Sequence, residues 1–295
     1  MKLIGFTCTY NEAEMVPYVM PYIERLGYDK FIVYDDSSTD NTVELLKQYP
    51  FVEVRNYSSI ADTQYDNERV QLMANSYLEC KMMVEIDEYG VEEPIWMTWT
   101  DFDEVLYTSS LYDSTLKGLL TKIITSDCNV FSTSMVNIIP PKEYENVRLL
   151  DVLGPNQLVH ELNGTRCKLI ENFLGNKACL FRVNDIKGII THPGNHKTGF
   201  AMEDGVELVY IESSIYFFHL KLIDKSSLRK KYDDIVYEGA WLYEQAIDKS
   251  KFDIIYDSIA STSYPLHEYF MACDLKQLRI NENNNKPKHI GVYLL

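Results

Sequence analysis

A chain of 295 residues, 46% of them hydrophobic, has the length of one large α/β domain or two ordinary ones and ample apolar content for a core. Its formal net charge of −16 works against nucleic acid, which needs Lys and Arg surfaces, and against docking on an anionic lipid face. No run approaches the roughly 18 to 20 apolar residues that span a bilayer, Met1-Lys2-Leu3-Ile4-Gly5-Phe6 shows no cleavable signal pattern, and the six cysteines include no C-x-x-C pair. The expectation is a cytoplasmic globular protein with reduced thiols, no zinc cluster and at most peripheral membrane contact.

Leu3-Ile4-Gly5-Phe6-Thr7-Cys8-Thr9 reads as a short buried strand, with Thr9-Tyr10-Asn11-Glu12 as its polar exit loop. A helix comes after it, in which Met15, Val19, Met20, Ile23 and Leu26 recur at helical spacing; Pro17 and Pro21 blur its first turns and Gly27 closes it. Residues 30–34 form a second, fully buried strand that runs at once into Asp35-Asp36-Ser37-Ser38-Thr39-Asp40-Asn41-Thr42. There Asn41 and Glu44 have capping-box spacing ahead of Val43, Leu45 and Leu46, so Asp40 and Asn41 read as helix caps rather than ligands. Residues 51–55 are a third strand. This alternation of strand and helix implies a parallel, right-handed, doubly wound sheet that binds ligands outside the carboxyl ends of its strands.

Residues 64–80 have a helical pattern, with Val70, Met73, Tyr77 and Cys80 on one side, while residues 82–86 fit either a strand or the tail of that helix. Beyond them lies the aromatic, strand-like run Ile95-Trp96-Met97-Thr98-Trp99-Thr100, which ends on Asp101-Phe102-Asp103-Glu104. Carboxylates at the end of a buried strand are costly unless a positive group meets them, which points to a divalent metal or a substrate cation. Residues 130–139, 179–183 and 208–220 have strand composition; from Ser226 the chain turns helical and charged, and the tail near residues 281–286 is polar and loose.

A sheet presenting Thr9 to Glu12 from one strand, Asp35-Asp36 from the next and Asp101-x-Asp103 from a later one builds a pocket with acceptors at three points. Such acids accept from base N–H groups and ribose hydroxyls, whereas phosphates need a metal between. The combination suits a nucleoside diphosphate bound through Mg²⁺ or Mn²⁺.

Thr9-Tyr10-Asn11-Glu12, Tyr34-Asp35-Asp36-Ser37-Ser38-Thr39-Asp40 and Asp101-Phe102-Asp103-Glu104 together resemble, in order and spacing, the nucleotide-sugar glycosyltransferases of family 2, which have the GT-A fold. The likeness is greatest to the branch with a T-x-N-E-A opening and a D-x-D-E metal motif, and it covers residues 3–107 well. It implies an α/β GT-A domain over residues 1–222, with a mostly parallel doubly wound sheet, and a helical extension over residues 223–295. It further implies that Thr9, Tyr10 and Glu12 line the nucleoside pocket and that Asp35 or Asp36 holds the uracil. Asp103 would ligate Mn²⁺ or Mg²⁺ directly, and Asp101 would act on ribose or through a metal-bound water. His219, in His219-Leu220-Lys221, resembles the family's late histidine, which returns to the metal or diphosphate; a core histidine is the other reading.

Inverting transfer needs a carboxylate to take the acceptor's proton; Glu203-Asp204 is the best-placed acidic pair, with His196 and Glu161 as alternatives. The implied partners are a nucleoside diphosphate sugar donor, most simply a UDP-sugar, and a glycan or glycolipid acceptor in surface glycan assembly. Two rivals remain. In a phosphohydrolase of the haloacid dehalogenase type, Asp101 would be nucleophile and Asp103 acid, but about a hundred residues of nucleotide-binding pattern precede the motif here. A non-catalytic sugar-nucleotide-binding module would be marked by loss of a motif acid, and none is missing.

Overall fold

The computed structural model describes residues 1–58, 65–86, 89–108, 115–122, 128–139, 168–191, 198–219 and 264–265. The first half runs β1 (Lys2–Thr9), α1 (Val16–Leu26), β2 (Lys30–Asp36), α2 (Thr42–Leu46), β3 (Val52–Tyr57) and α3 (Tyr65–Met82). Then come β4 (Ile95–Asp101), β5 (Glu104–Thr108), α4 (Leu116–Lys122), β6 (Val130–Ile139) and β7 (Lys168–Arg182). The remaining strands are β8 (Ile186–Thr191), β9 (Thr198–Met202), β10 (Tyr210–His219) and β11 (Tyr264–Pro265).

A nine-stranded sheet has the order β3-β2-β1-β4-β7-β6-β10-β5, with β11 on β7; β8 and β9 pair apart from it as an antiparallel hairpin. β3, β2, β1 and β4 are parallel neighbours, as the strand-helix rhythm predicts. β7 lies antiparallel to β4 and β6, and β10 is parallel to β6 and antiparallel to β5. Of the described strands in this sheet, β7 and β5 therefore run against the rest, and the sheet is mainly parallel.

Successive strand side chains point to opposite faces, and this sorts the core into two layers. Leu3, Phe31, Val33 and Trp96 meet α1, α2 and α4 on one face. Ile4, Phe6, Ile32, Tyr34, Met97 and Trp99 meet Met73, Tyr77 and Cys80 of α3 on the other. In that second layer Phe6 stacks on Trp99 with centroids 6.3 Å apart, and Tyr34 tilts against the same indole at 6.1 Å. Each such ring contributes roughly 1.5 to 3 kcal/mol by leaving water. Gly27 closes α1 in the left-handed conformation, φ 84°, donating its N–H to the Glu24 carbonyl.

Several local expectations need correction. The Asn41 to Glu44 capping box does not form, because Asn41 makes no side-chain cap bond. Asp40 instead accepts from the Thr42 N–H two residues on, at 3.0 Å, a short Asx-type reach that serves a five-residue helix. The ambiguous stretch leaves α3 after Met82 and pairs through an isolated Ile86 to Glu92 bridge. The predicted helical extension falls almost wholly outside the described residues, and its described part, Tyr264–Pro265, pairs as a strand with β7. Cys8, Cys80 and Cys128 are buried free thiols. Among the described residues, no helix is long and apolar enough to cross a membrane.

The short β4 to β5 connection forces curvature on the sheet. Asp101 and Glu104 end and begin strands that lie four neighbours apart in the sheet order. That is about 19 Å of sheet, whereas three residues of chain reach at most about 10 Å. The sheet therefore curls, and the β10–β5 edge returns over the carboxyl end of β4. Phe102, in the turn, is buried with Val105 and Leu106 in the α1-side core and pins this closure.

Candidate functional site

The exit loops of β1 and β2 are stitched together by side chains. Asn11 N–H donates to Ser38 Oγ at 2.9 Å, and Asn11 Oδ1 accepts from Thr39 N–H at 2.8 Å. Glu12 N–H donates to Thr42 Oγ1 at 2.8 Å, and Ala13 N–H to Asp40 Oδ2 at 3.2 Å. Both loops hold a non-glycine residue with left-handed backbone, Asn11 at φ 52° and Ser37 at φ 61°, each costing of order 1 kcal/mol. The stitching offsets that cost and fixes the rim of the site.

Burial alone would push the Asp40 carboxyl up, but bonds from the Thr42 hydroxyl and amide and from the Ala13 amide outweigh it and hold the group below its ordinary 3.8. The folded state thus binds this proton less readily than the unfolded chain. The contribution to stability is present above pH 3.8 and is lost as pH falls through the folded value. Asp40→Ala is expected to cost about 1 kcal/mol in urea denaturation at pH 7, with the difference from the parent shrinking below about pH 4. An undiminished difference at about pH 3 would assign the loss to packing instead of the charge.

Beside these loops lies an open cleft of about 450 Å³ whose lining includes Asp35, Ser37, Ser38, Glu44, Asn56 and Tyr57. Asp35 is 4% exposed; its Oδ2 accepts from Ser38 N–H at 3.1 Å, while Oδ1 has no hydrogen-bond partner among the described residues. Thr9 Oγ1, opposite Asp35 in the β1–β2 register, is buried and likewise has no partner among the described residues. A buried acceptor left unpaired costs about 1 to 3 kcal/mol, so this corner is built to receive a donor. The alternation that buries Phe31 and Val33 with α1 puts Asp35 on the α1–α2 face, and Asp36 falls on the α3 face. Of the two acids, Asp35 belongs to the cleft. Thr9, Tyr10 and Glu12 border this region without lining the cleft, and Tyr10 is 55% exposed.

The Asp101-x-Asp103 motif occupies the end of β4 and the turn after it. Asp101 Oδ1 forms an ion pair with the Arg69 guanidinium, delivered by α3. Asp101 N–H donates to Oε2 of Glu104 at 3.0 Å, and Glu104 is 4% exposed, so a buried carboxylate holds the turn in shape. Cys8, opposite Asp101 in the β1–β4 register, has its thiol pushed up by burial, with the nearby Arg69 charge opposing. On β10, His219 sits opposite Glu104 in the β10–β5 register, so the curled sheet brings the late histidine's backbone beside the acidic turn.

Among the described residues, no group of three or more His, Cys, Asp or Glu side chains is gathered to hold a metal ion. The donor chemistry at this turn nonetheless suits Mg²⁺ or Mn²⁺, since two carboxylates one residue apart offer the hard oxygens these ions prefer. Arg69 already compensates one of them. Sequence reasoning misses Arg69, because a single arginine in a charged helix gives no local signal.

Glu203 and Asp204 are elsewhere. Lys81 Nζ pairs with Glu203 Oε1 at 2.7 Å and also donates to the carbonyls of Asn184 and Ile186, at 3.1 and 2.9 Å. That lysine holds the Glu203 carboxyl below the usual carboxylate range. Glu203 N–H donates to the Asp185 carbonyl, and the neighbouring Asn184 Oδ1 accepts from the N–H of Ile95, the first residue of β4. Glu203 therefore lies at the amino edge of β4, roughly 20 Å, the length of that strand, from Asp101. Asp204 is solvent-exposed and faces Lys187 at 3.6 Å. Neither is placed to deprotonate an acceptor at the acidic end, and the expected base is corrected accordingly. Glu161 and His196 lie outside the described residues.

No curated protein matches the chain. Among solved structures it is similar to TarS of S. aureus, with 12% identity and a TM-score of 0.40 over 87% of this chain and 43% of that one. A structure of TarS residues 1–349 in complex with UDP-GlcNAc gives 15% identity and a TM-score of 0.31 over 46% of this chain and 35% of that one. Glucosyl-3-phosphoglycerate synthase from Mycobacterium tuberculosis, in complex with Mn²⁺, UDP and glucosyl-3-phosphoglycerate, gives 12% and 0.35 over 88% and 80%. The chain thus spans less than half the length of the first two. The motif resemblance points to family 2; the family model that matches is a different one. Glycosyltransferase family 92 matches over residues 7–238, a span that holds the three acidic motifs and His219, so the chain belongs to that family and carries a glycosyltransferase domain with a mixed α/β, mainly parallel architecture.

Proposed function

We propose that the chain transfers a hexosyl group from a UDP-sugar to a hydroxyl of a glycan or glycolipid acceptor, with Mn²⁺ or Mg²⁺ and with inversion. The observation that carries the donor reading is Asp35: a buried carboxylate with one unpaired oxygen, lining a cleft at the carboxyl end of β2. Its natural complement is the N–H of a base, and uracil presents one. The acidic turn after β4 lies at the same end of the sheet, where a diphosphate would need a metal. Asp103 would hold that ion directly and Asp101 would act on ribose or through water, with His219 as a further ligand from the adjoining strand. When bound, the metal neutralises charge building on the departing diphosphate.

The chain's own residues do the rest of the positioning. Asp35 reads the base, the stitched loops hold the nucleoside rim, and Glu104 keeps the acidic turn in register. The family match favours transfer over phosphohydrolase chemistry. Cytoplasmic residence, peripheral membrane contact and a role in surface glycan assembly belong to the same proposal.

The test is calorimetric titration with UDP, GDP and dTDP, each in Mn²⁺ and in EDTA. UDP binding that requires the metal is the expected result. Silence for all three nucleotides, or equal binding in EDTA, would overturn the donor assignment.

A further inference from the structure

We infer that Arg69 makes metal binding at the acidic turn conditional on the donor's diphosphate, by holding Asp101 until an anionic phosphate draws the guanidinium away. The inference rests on the proposed donor site and adds to it an order of events. Arg69 is the cation that α3 delivers to the carboxyl ends of β1 and β4: its side chain is 16% exposed, it pairs with Asp101, and its charge acts on Cys8. Strand alternation places Asp36 on this same face, so the guanidinium sits where three strand ends present their α3-side residues.

A divalent ion beside Asp101 would meet the fixed positive charge of Arg69, which already pairs with Oδ1. Metal alone is therefore disfavoured. A diphosphate changes the balance: its oxygens match the planar fork of a guanidinium at least as well as a carboxylate does. With Arg69 engaged on phosphate, Asp101 is released to the metal or its water. Metal and nucleotide then favour each other through a shared residue, which is a coupling between two ligands and is reciprocal. The arrangement also keeps a strongly acidic chain from loading its site with free divalent ions.

The experiment titrates Mn²⁺ alone, and Mn²⁺ in saturating UDP, into the parent protein, Arg69→Gln and Arg69→Lys, with circular dichroism as the check on folding. The parent is expected to bind Mn²⁺ at least about tenfold more tightly with UDP than without. Arg69→Gln should bind Mn²⁺ alone about tenfold more tightly than the parent and lose most of the enhancement by UDP. Arg69→Lys keeps the charge but loses the fork, so Mn²⁺ alone should stay as weak as in the parent while UDP with Mn²⁺ binds several-fold less well. An unchanged Mn²⁺-only affinity and unchanged enhancement in folded Arg69→Gln would overturn the coupling and leave the donor site standing. Should Arg69→Gln fail to fold, parent-like binding of UDP with Mn²⁺ by Arg69→Lys would overturn it. A parent protein with no metal-dependent nucleotide binding would overturn both.

Discussion

Asp103→Ala is expected to weaken UDP binding in Mn²⁺ by about a hundredfold or more, about 2.7 kcal/mol, while the residual affinity in EDTA and the far-ultraviolet circular dichroism stay as in the parent. The effect is large because Asp103 is the proposed direct ligand, and the turn that carries it is held by other groups. Glu104 grips the Asp101 backbone, and Phe102 is buried beneath the turn. Asp101→Asn should cost less, since Asp101 acts on ribose or through a metal-bound water where Asp103 is the proposed direct ligand, and the backbone bond to Glu104 survives the change. Titration calorimetry of both variants with and without metal decides the matter; unchanged UDP affinity in Mn²⁺ for Asp103→Ala would remove Asp103 from the metal site.

The largest effect on stability is expected from Gly5→Ala. A Cβ there would lie 2.4 Å from Phe31 Cδ2 and 2.8 Å from Tyr28 Cε1. Neither ring has room to retreat. Phe31 is 2% exposed, and Tyr28 is 8% exposed, packs edge-on against Phe31 and exchanges a 3.0 Å hydrogen bond with Thr98. Because β1 is central, with β2 and β4 on its two sides, the strand cannot shift without loosening both ladders. A loss of about 3 kcal/mol is expected, or roughly 10 °C in Tm. Gly188→Ala is the control, since no described residue lies within 4 Å of its new methyl group. Equal melting temperatures for the two variants would show that the β1 core yields where the packing says it cannot.

The parallel half of the sheet is legible because its strands carry their own instructions: uninterrupted apolar runs, helices between them, acids at their ends. Gly27 and the span of β6 come from local chemistry in the same way. The parts that sequence hides depend on distant partners. β5 looks like the apolar tail of an acidic motif until β10 supplies the edge it pairs with. The β8–β9 hairpin has half-buried strands with weak patterns. The cap of α2 is misread because Asn41 and Asp40 are equally plausible on paper, and only the position of the β1 loop makes Asp40 the better acceptor.

The site divides along the same line. Asp35 and Asp101 stand out as acids at strand ends, and His219 enters only through its resemblance to the family's late histidine. The pair Glu203 and Asp204 rests on counting residues, and counting cannot tell which end of the sheet a later segment reaches. Lys81 decides that, by gathering carbonyls from residues 184 and 186 together with Glu203 at the amino edge. Arg69 is invisible for the opposite reason: its partner is defined by the packing of α3. The family model that matches is 92, and the resemblance to family 2 reaches only the motifs that suggested a glycosyltransferase.

The two-residue link between β4 and β5 has a consequence for how this protein can vary. Residues 102 and 103 must close a curled sheet, bury one aromatic ring and offer one carboxylate, all within a single turn. One added residue would slip β5 by a position against β10 and exchange the faces on which the buried Val105 and Leu106 lie. The segment is therefore closed to insertion and deletion. Length changes that tailor the acceptor have to fall in other connections, and a lineage of such enzymes would diversify around a turn whose length is fixed by the sheet itself.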